Sequence, residues 1–391
     1  DDEYLKNSIN FIETARKGIA ESVSPSTAVK LHGNDITISP SRLETYSKCP
    51  FSHFCRYDIH AKPVEQARIN AMQRGTISHY VLEKLIKKYV SKLNEITDVN
   101  LTEEIEISVK EYIDSRFAGF DVEDKEFVFT VERIKKLLFD VLRNIGAELA
   151  QTEFKPVMFE QPILPDGEIK PIKIDTETGS AMIIGTVDRV DILEKDGKSY
   201  VRVIDYKTGK KLFNLSEILY GLNLQMLLYL YSIADSDQSG NTECAGILYM
   251  PVRRNEYSDK AGLKDNNSYA MNGLVLFENM IPEAMEPEAK GKFIPYKYDR
   301  KGAYSSKLLI SSDDFKDIKR KVIEVVRDKV DRMNGGDISR SPIKAGGYSP
   351  CDFCDYSSVC LSANVNIETV PSDSNALDNI RMEAIMNETD S

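Results

Sequence analysis

Residues 183–211 read IIGTVDRVDILEKDGKSYVRVIDYKTGKK, and the fold is decided in this stretch. Apolar and β-branched side chains fill two runs on either side of EKDGKS, whose Asp196-Gly197 tip is a two-residue hairpin signal. The pattern predicts antiparallel strands over about 181–194 and 199–207. Alternation along the second strand puts Asp205 and Lys207 on one face and Tyr206 on the other. Asp188 lies on the first strand, so two carboxylates can converge. Such a pair suits a hard divalent ion, Mg²⁺ or Mn²⁺, which activates water and stabilises charge on a phosphate. A nearby lysine adds positive charge for the transition state. The plain alternative is that Asp188, Asp191, Asp205 and Lys207 form surface salt bridges on a hairpin. Against it, VRVIDYKTG reads as a central strand, where an unpaired Asp and Lys are costly. Gly185 and Gly209 also leave room for a close backbone approach.

Outward from the hairpin, apolar residues recur at helical spacing over 74–94 and 130–152. In the second, Ile134, Leu138, Val141, Leu142 and Ile145 belong to one stripe. Strands are predicted at 157–164, 169–176 and 245–252, and helices at 216–235 and 312–334. Residues 254–311 read as a polar insertion. Ser41-Arg-Leu-Glu44 has the form of a capping box, predicting a helix from Arg42 that Pro50 ends, with Cys49 at its edge. Residues 1–38 read as an amphipathic helix (3–20) and a linker, and 362–391 as a weakly ordered tail. Helices flanking a β block indicate an α/β or α+β domain.

The chain has 391 residues, 41% hydrophobic and 29% charged, with a formal net charge of −11. That balance excludes a purely electrostatic nucleic-acid binder but not an enzyme with a locally basic groove. No apolar run approaches the roughly 20 residues that span a bilayer, so no membrane association is expected. The first residue is Asp1 rather than Met, and a segment of a longer polypeptide is the expectation. Six cysteines are too few for a disulfide scaffold, and their clustering reads as metal or cluster ligation in a reducing cytoplasm.

Taken together, G185-x-V-D188, I-D205-Y-K207-T-G, upstream R74-G-T-I-S-H79 and downstream Q225-M-L-L-Y229 resemble the RecB-type nucleases of the PD-(D/E)XK superfamily. The resemblance covers about 39–361 and implies a restriction-endonuclease-like core, a central mixed β-sheet flanked by helices. It implies that His79, Asp188 and Asp205 bind the metal, with the Tyr206 carbonyl as a further ligand. Lys207 then assists catalysis, while Gln225 and Tyr229, one helical turn apart, order the site and contact DNA. From the residues alone, a lone helical His79 also fits a structural role, and Glu160 reads as structural at the margin of the site.

CDFCDYSSVC at 351–360 has the spacing C-x2-C-x5-C and supplies three thiols. SPSRLETYSKCPFSHFCRY at 39–57 resembles the first-cysteine motif of AddB-type subunits of bacterial helicase–nucleases. That resemblance implies a 4Fe–4S cluster on Cys49, Cys351, Cys354 and Cys360, closing the domain as a staple. Four-cysteine zinc is the competing reading, Cys55 a competing thiol, and Cys244 a core residue. The activity implied is a metal-dependent exonuclease on single-stranded DNA ends. It works beside an AddA-type helicase–nuclease partner in processing double-strand breaks for recombinational repair. A catalytically silent DNA-binding module and a free-standing CRISPR-type exonuclease remain the alternatives. No Walker A motif is present. KGKFIPYKYDRKGAY at 290–304 mixes basic and aromatic residues and suits either single-stranded DNA or a solvated insertion, with Arg253 and Arg254 as weaker candidates.

Overall fold

The computed structural model describes residue 6 and residues 21–62, 71–90, 92–116, 125–209, 211–252, 269–288, 290–294, 296, 308–347, 349–360, 366–371 and 375–389. Apart from residue 6, the helix expected at 3–20 lies outside the described residues, as do Arg253, Arg254 and all of 297–304. In chain order the elements begin with α1 (Pro25–His32), β1 (Asp35–Ile38) and α2 (Pro40–Lys48). A short helix α3 (Pro50–His53) runs into a π turn at Phe54–Asp58. Three longer helices follow, α4 (Ala71–Tyr89), α5 (Asp98–Arg116) and α6 (Lys125–Leu149). The strands β2 (Lys155–Ile163), β3 (Ile172–Asp175), β4 (Ser180–Ile183), β5 (Gly185–Lys195) and β6 (Lys198–Lys207) come next. Then come α7 (Gln225–Ser236), β7 (Thr242–Pro251), β8 (Asn272–Leu276), α8 (Ile281–Met285), β9 (Leu309–Ile310) and α9 (Ser312–Asn334). The last elements are β10 (Ile343–Lys344), α10 (Ser357–Cys360), β11 (Glu368–Thr369) and α11 (Ala376–Thr389).

The central sheet has the order β2-β5-β6-β7-β8-β9. It is mixed, because β5/β6 and β2/β5 are antiparallel while β6/β7 and β8/β9 are parallel. The β5–β6 turn forms where expected. Asp196 and Gly197 both take positive φ, 53° and 77°, the pair of left-handed residues that a tight hairpin demands. The parallel β6/β7 pair needs a crossover, which α7 supplies. Met226–Ile233 of that helix are all buried, as expected for a helix that is apolar on every side.

A buried ion network joins α6 to the hairpin. Arg189 donates to both oxygens of Asp191 at 2.6 Å, and Arg202 donates to Asp191 at 2.7 and 2.9 Å and to Glu148 at 2.6 Å. All four side chains are fully buried, and two cations face two anions. Asp191 is therefore not a surface salt-bridge residue. The Arg202 guanidinium also lies 4.7 Å from the centre of the Phe154 ring.

Several boundaries differ from expectation. Ser39, not Ser41, caps α2, because Pro40 fits the first helical position. Residues 215–220 form a 3-10 turn ended by left-handed Gly221, and α7 starts only at Gln225. The α5 helix, which buries Leu101, Ile105 and Val109, has no counterpart among the helices expected from apolar spacing. The supposed insertion contributes β8 and β9 to the central sheet. Part of the supposed tail is the helix α11, which buries Ala376 and Ile380. It docks through Arg381, which donates to Asp314 of α9 at 2.6 and 2.9 Å. No described helix is long and apolar enough to cross a membrane.

Removing one charge from the buried network leaves its partners desolvated and unpaired, so Asp191→Ala is expected to cost about 3–5 kcal/mol. Urea unfolding of parent and variant measures it.

Candidate functional site

The side chains at the site are gathered from five elements. His79 comes from α4, Glu160 from β2, Asp188 from β5, Asp205 and Lys207 from β6, and Gln225 from the start of α7. Ligand atoms of His79, Glu160 and Asp188 all lie within 4.8 Å of one another, the one such group among the described residues. His79 Nδ1 is 3.3 Å from Asp188 Oδ2 and 3.6 Å from Glu160 Oε1. Its Nε2 is 2.8 Å from the Tyr206 carbonyl oxygen. A carbonyl only accepts, so Nε2 donates, and a bare Nδ1 lone pair would then face two carboxylates. The ring is accordingly held doubly protonated. Burial disfavours that charge, but Glu160, Asp188 and the Tyr206 carbonyl outweigh it and raise the His79 pKa to about 9. Burial, then the neighbouring Asp205, pushes Asp188 up to about 7.

Glu160 adopts φ of 43°, the left-handed region that a non-glycine strand residue rarely takes. It sits between the cross-strand pairs Phe159–Arg189 and Gln161–Val187, opposite Asp188. Such strain costs of order 1–3 kcal/mol and is typical of functional sites. Here it accompanies a carboxylate turned toward His79, and a strand glutamate carries no sequence signal for that.

Asp205 is almost wholly buried. Lys207 Nζ lies 2.7 and 2.9 Å from its two oxygens, and Gln225 Nε2 lies 3.4 Å from Oδ1. The backbone N–H of Tyr206 donates to Asp188 at 2.9 Å. Tyr229 packs on Gly185 so closely that a Cβ there would sit 2.2 Å from the tyrosine hydroxyl. Gly185 thus admits the Tyr229 ring, and the close approach is by a side chain rather than a backbone.

The four cysteines expected as a set line one cavity of about 270 Å³, together with Arg56 and Arg340. Cys49 ends α2, Cys351 lies within a 3-10 turn at Pro350–Phe353 that Cys354 ends, and Cys360 ends α10. The two ends of the chain are braced here by Phe51 N–H to Ser339 O at 3.1 Å and by the Tyr356 hydroxyl to Ala61 O at 2.9 Å. No three described cysteines bring their sulfurs within 4.8 Å of one another. Burial pushes the Cys49 thiol up to about 11. Cys55 is buried beside Phe51, Tyr356 and Cys360 and is not among the residues lining the cavity. Cys244 is half-buried at the margin of the main core.

A family model described as the PD-(D/E)XK nuclease superfamily matches residues 37–361. The chain belongs to this superfamily. It is similar to the B subunit of the ATP-dependent helicase/deoxyribonuclease of Clostridium acetobutylicum, with 30% identity over 86% of this chain and 31% of that protein. The proteins of the same name from Clostridium tetani and Clostridioides difficile are each 31% identical, over 87% and 83% of this chain. The chain spans about 31% of the length of the first two relatives.

Within this PD-(D/E)XK domain, the structure brings together His79, Asp188, the Tyr206 carbonyl, Asp205, Lys207 and Gln225, with Tyr229 behind Gly185. It adds Glu160, which sequence alone assigns to a structural role. It removes Phe293 and Tyr296 from the candidates for base stacking, because both rings are buried.

A divalent cation held by this group must displace the protons on His79 and Asp188. Mn²⁺ affinity measured by calorimetry is expected to tighten as pH rises through the range from about 7 to about 9. Glu160→Gln is expected to weaken that affinity by about 10-fold or more.

Proposed function

We propose that the chain is a divalent-metal-dependent deoxyribonuclease domain that hydrolyses phosphodiester bonds of single-stranded DNA. It works within a cytoplasmic helicase–nuclease assembly that processes double-strand breaks. The observation carrying this reading is the convergence of Glu160, Asp188, Asp205, His79 and Lys207 at one end of the β5–β6 hairpin. Three carboxylates against one lysine leave two negative charges once His79 is neutral, which repels a phosphate. One divalent cation cancels them, so the residues present fit Mg²⁺ or Mn²⁺ in both ligand type and charge.

His79, Glu160, Asp188, Asp205 and the Tyr206 carbonyl are the groups that would hold the ion. When bound, it supplies Lewis acidity toward the phosphate and an activated water. The chain's own residues do the rest. Asp205 fixes the Lys207 ammonium at 2.7 Å, and in this reading that ammonium offsets the charge that builds on the phosphate. Gln225 steadies Asp205, and the Tyr206 N–H orients Asp188. Burial of both aspartates strengthens these electrostatic contacts relative to water.

The names of the relatives support a helicase–nuclease setting, and an AddA-type helicase–nuclease is the partner we propose. We also assign a 4Fe–4S cluster to Cys49, Cys351, Cys354 and Cys360. The four-thiol cavity and the distance of 302 residues between Cys49 and Cys351 along the chain support a stabilising clasp.

Two experiments test these assignments. Mg²⁺-dependent cleavage of labelled single-stranded DNA is expected for the parent, with losses of about 10²-fold or more in Asp205→Ala and Lys207→Ala. Equal rates in all three proteins contradict the catalytic assignment. Iron and acid-labile sulfide are expected in anaerobically purified protein and are lost in Cys354→Ala. Zinc without iron removes the cluster and leaves the nuclease reading intact.

A further inference from the structure

Lys207 is not the one lysine at this end of the sheet. Its Nζ lies 5.7 Å from the centre of the Tyr249 ring, and Lys211 Nζ lies 5.9 Å from the centre of the same ring. Tyr249 is paired with Asp205 across the parallel β6/β7 ladder, so the ring forms a wall of the site just described. The two lysines differ in their partners. Lys207 is bound to Asp205, whereas no ion pair within 4.0 Å is found for Lys211 among the described residues. Glu44 and Glu217 are near enough to act on Lys211 electrostatically, but neither closes on it, and Glu217 already accepts from Asn223 at 2.6 Å.

The setting of Lys211 is therefore unusual for a lysine. It is half-buried, and burial pulls its pKa below the ordinary lysine value. A cation–π contact near 6 Å returns little of that cost. An anion at the ammonium would offset it. Both ammonium groups lie within 6 Å of the centre of one ring, and each is near enough to act on the other electrostatically. Beyond Lys211 lies Lys48, which is exposed and lines the four-cysteine cavity.

We propose that Lys211 binds the backbone phosphate next to the one presented to Asp188, Asp205 and Lys207. Two lysines on one tyrosine ring then set the line of the single strand through the site. This rests on the nuclease reading for its ligand, but it assigns a residue outside the metal and DYK groups. Lys211 is a substrate-binding residue and takes no part in the bond-breaking step.

The test is fluorescence anisotropy of a fluorescein-labelled oligo(dT) single strand, titrated with protein over a series of salt concentrations. The Asp205→Ala background is used so that no cleavage intervenes. Lys211→Gln is expected to weaken binding by about tenfold, the value of one charge-assisted contact. It is also expected to reduce the slope of log affinity against log salt by about 0.7, one phosphate's worth on a single strand. Lys211→Arg should restore both. Lys198→Gln, at the exposed hairpin tip, should change neither. Parental affinity and slope in Lys211→Gln overturn the inference, and a lowered melting temperature alongside them assigns Lys211 to Glu44 and Glu217 as a counter-ion. Cleavage by the otherwise unaltered parent is measured separately. A parent that binds oligo(dT) through Lys211 and never cleaves it overturns the nuclease reading alone.

Discussion

The buried Arg189–Asp191–Arg202–Glu148 network is the constraint on which the rest of the structure depends. Asp188 and Asp205 lie on neighbouring strands, and their convergence requires that β5 and β6 keep one register. A slip of one residue would send every side chain to the opposite face. Arg189 and Asp191 on β5, and Arg202 on β6, can satisfy one another and Glu148 of α6 only in the observed pairing. Any slip leaves desolvated charge, which is costly. The network therefore specifies the register that brings the catalytic candidates together, and the tight Asp196-Gly197 turn enforces it from the other end.

The same hairpin explains why the site combines high charge with deep burial. Asp188 carries a pKa near 7 because burial and Asp205 both oppose its ionisation. His79, from a different helix, compensates by holding a proton between Asp188 and Glu160. The arrangement is self-consistent without a metal and is electrostatically prepared to exchange protons for one. The strained backbone at Glu160 belongs to the same arrangement, since it turns a carboxylate toward the place where positive charge is needed.

Much of this was legible in the sequence. The DG turn, the alternation of Asp205, Tyr206 and Lys207, and the one-turn spacing of Gln225 and Tyr229 all report local geometry, and local geometry follows from local pattern. What was not legible depends on the third dimension. Glu160 reads like any strand glutamate, because a positive φ leaves no compositional trace. Asp191 entered the sequence reading only within the surface salt-bridge alternative, because its two arginine partners are recognisable only once β5, β6 and α6 are packed. Residues 272–276 read as insertion because the three apolar residues Leu274, Val275 and Leu276 do not announce that this strand pairs with β7. Ser41 competed with Ser39 for the cap, and Pro40 decided between them.

The central claim is that the β5–β6 hairpin and α4 build a divalent metal site. Crystals equilibrated with Mn²⁺ and measured for anomalous scattering test it most directly. One dominant peak is expected in coordinating contact with Asp188 and His79, and with Asp205 and Glu160 drawn toward it. His79 Nε2 should then have left the Tyr206 carbonyl. A peak elsewhere, or none at this position at saturating Mn²⁺ with His79 still bound to that carbonyl, would contradict the claim.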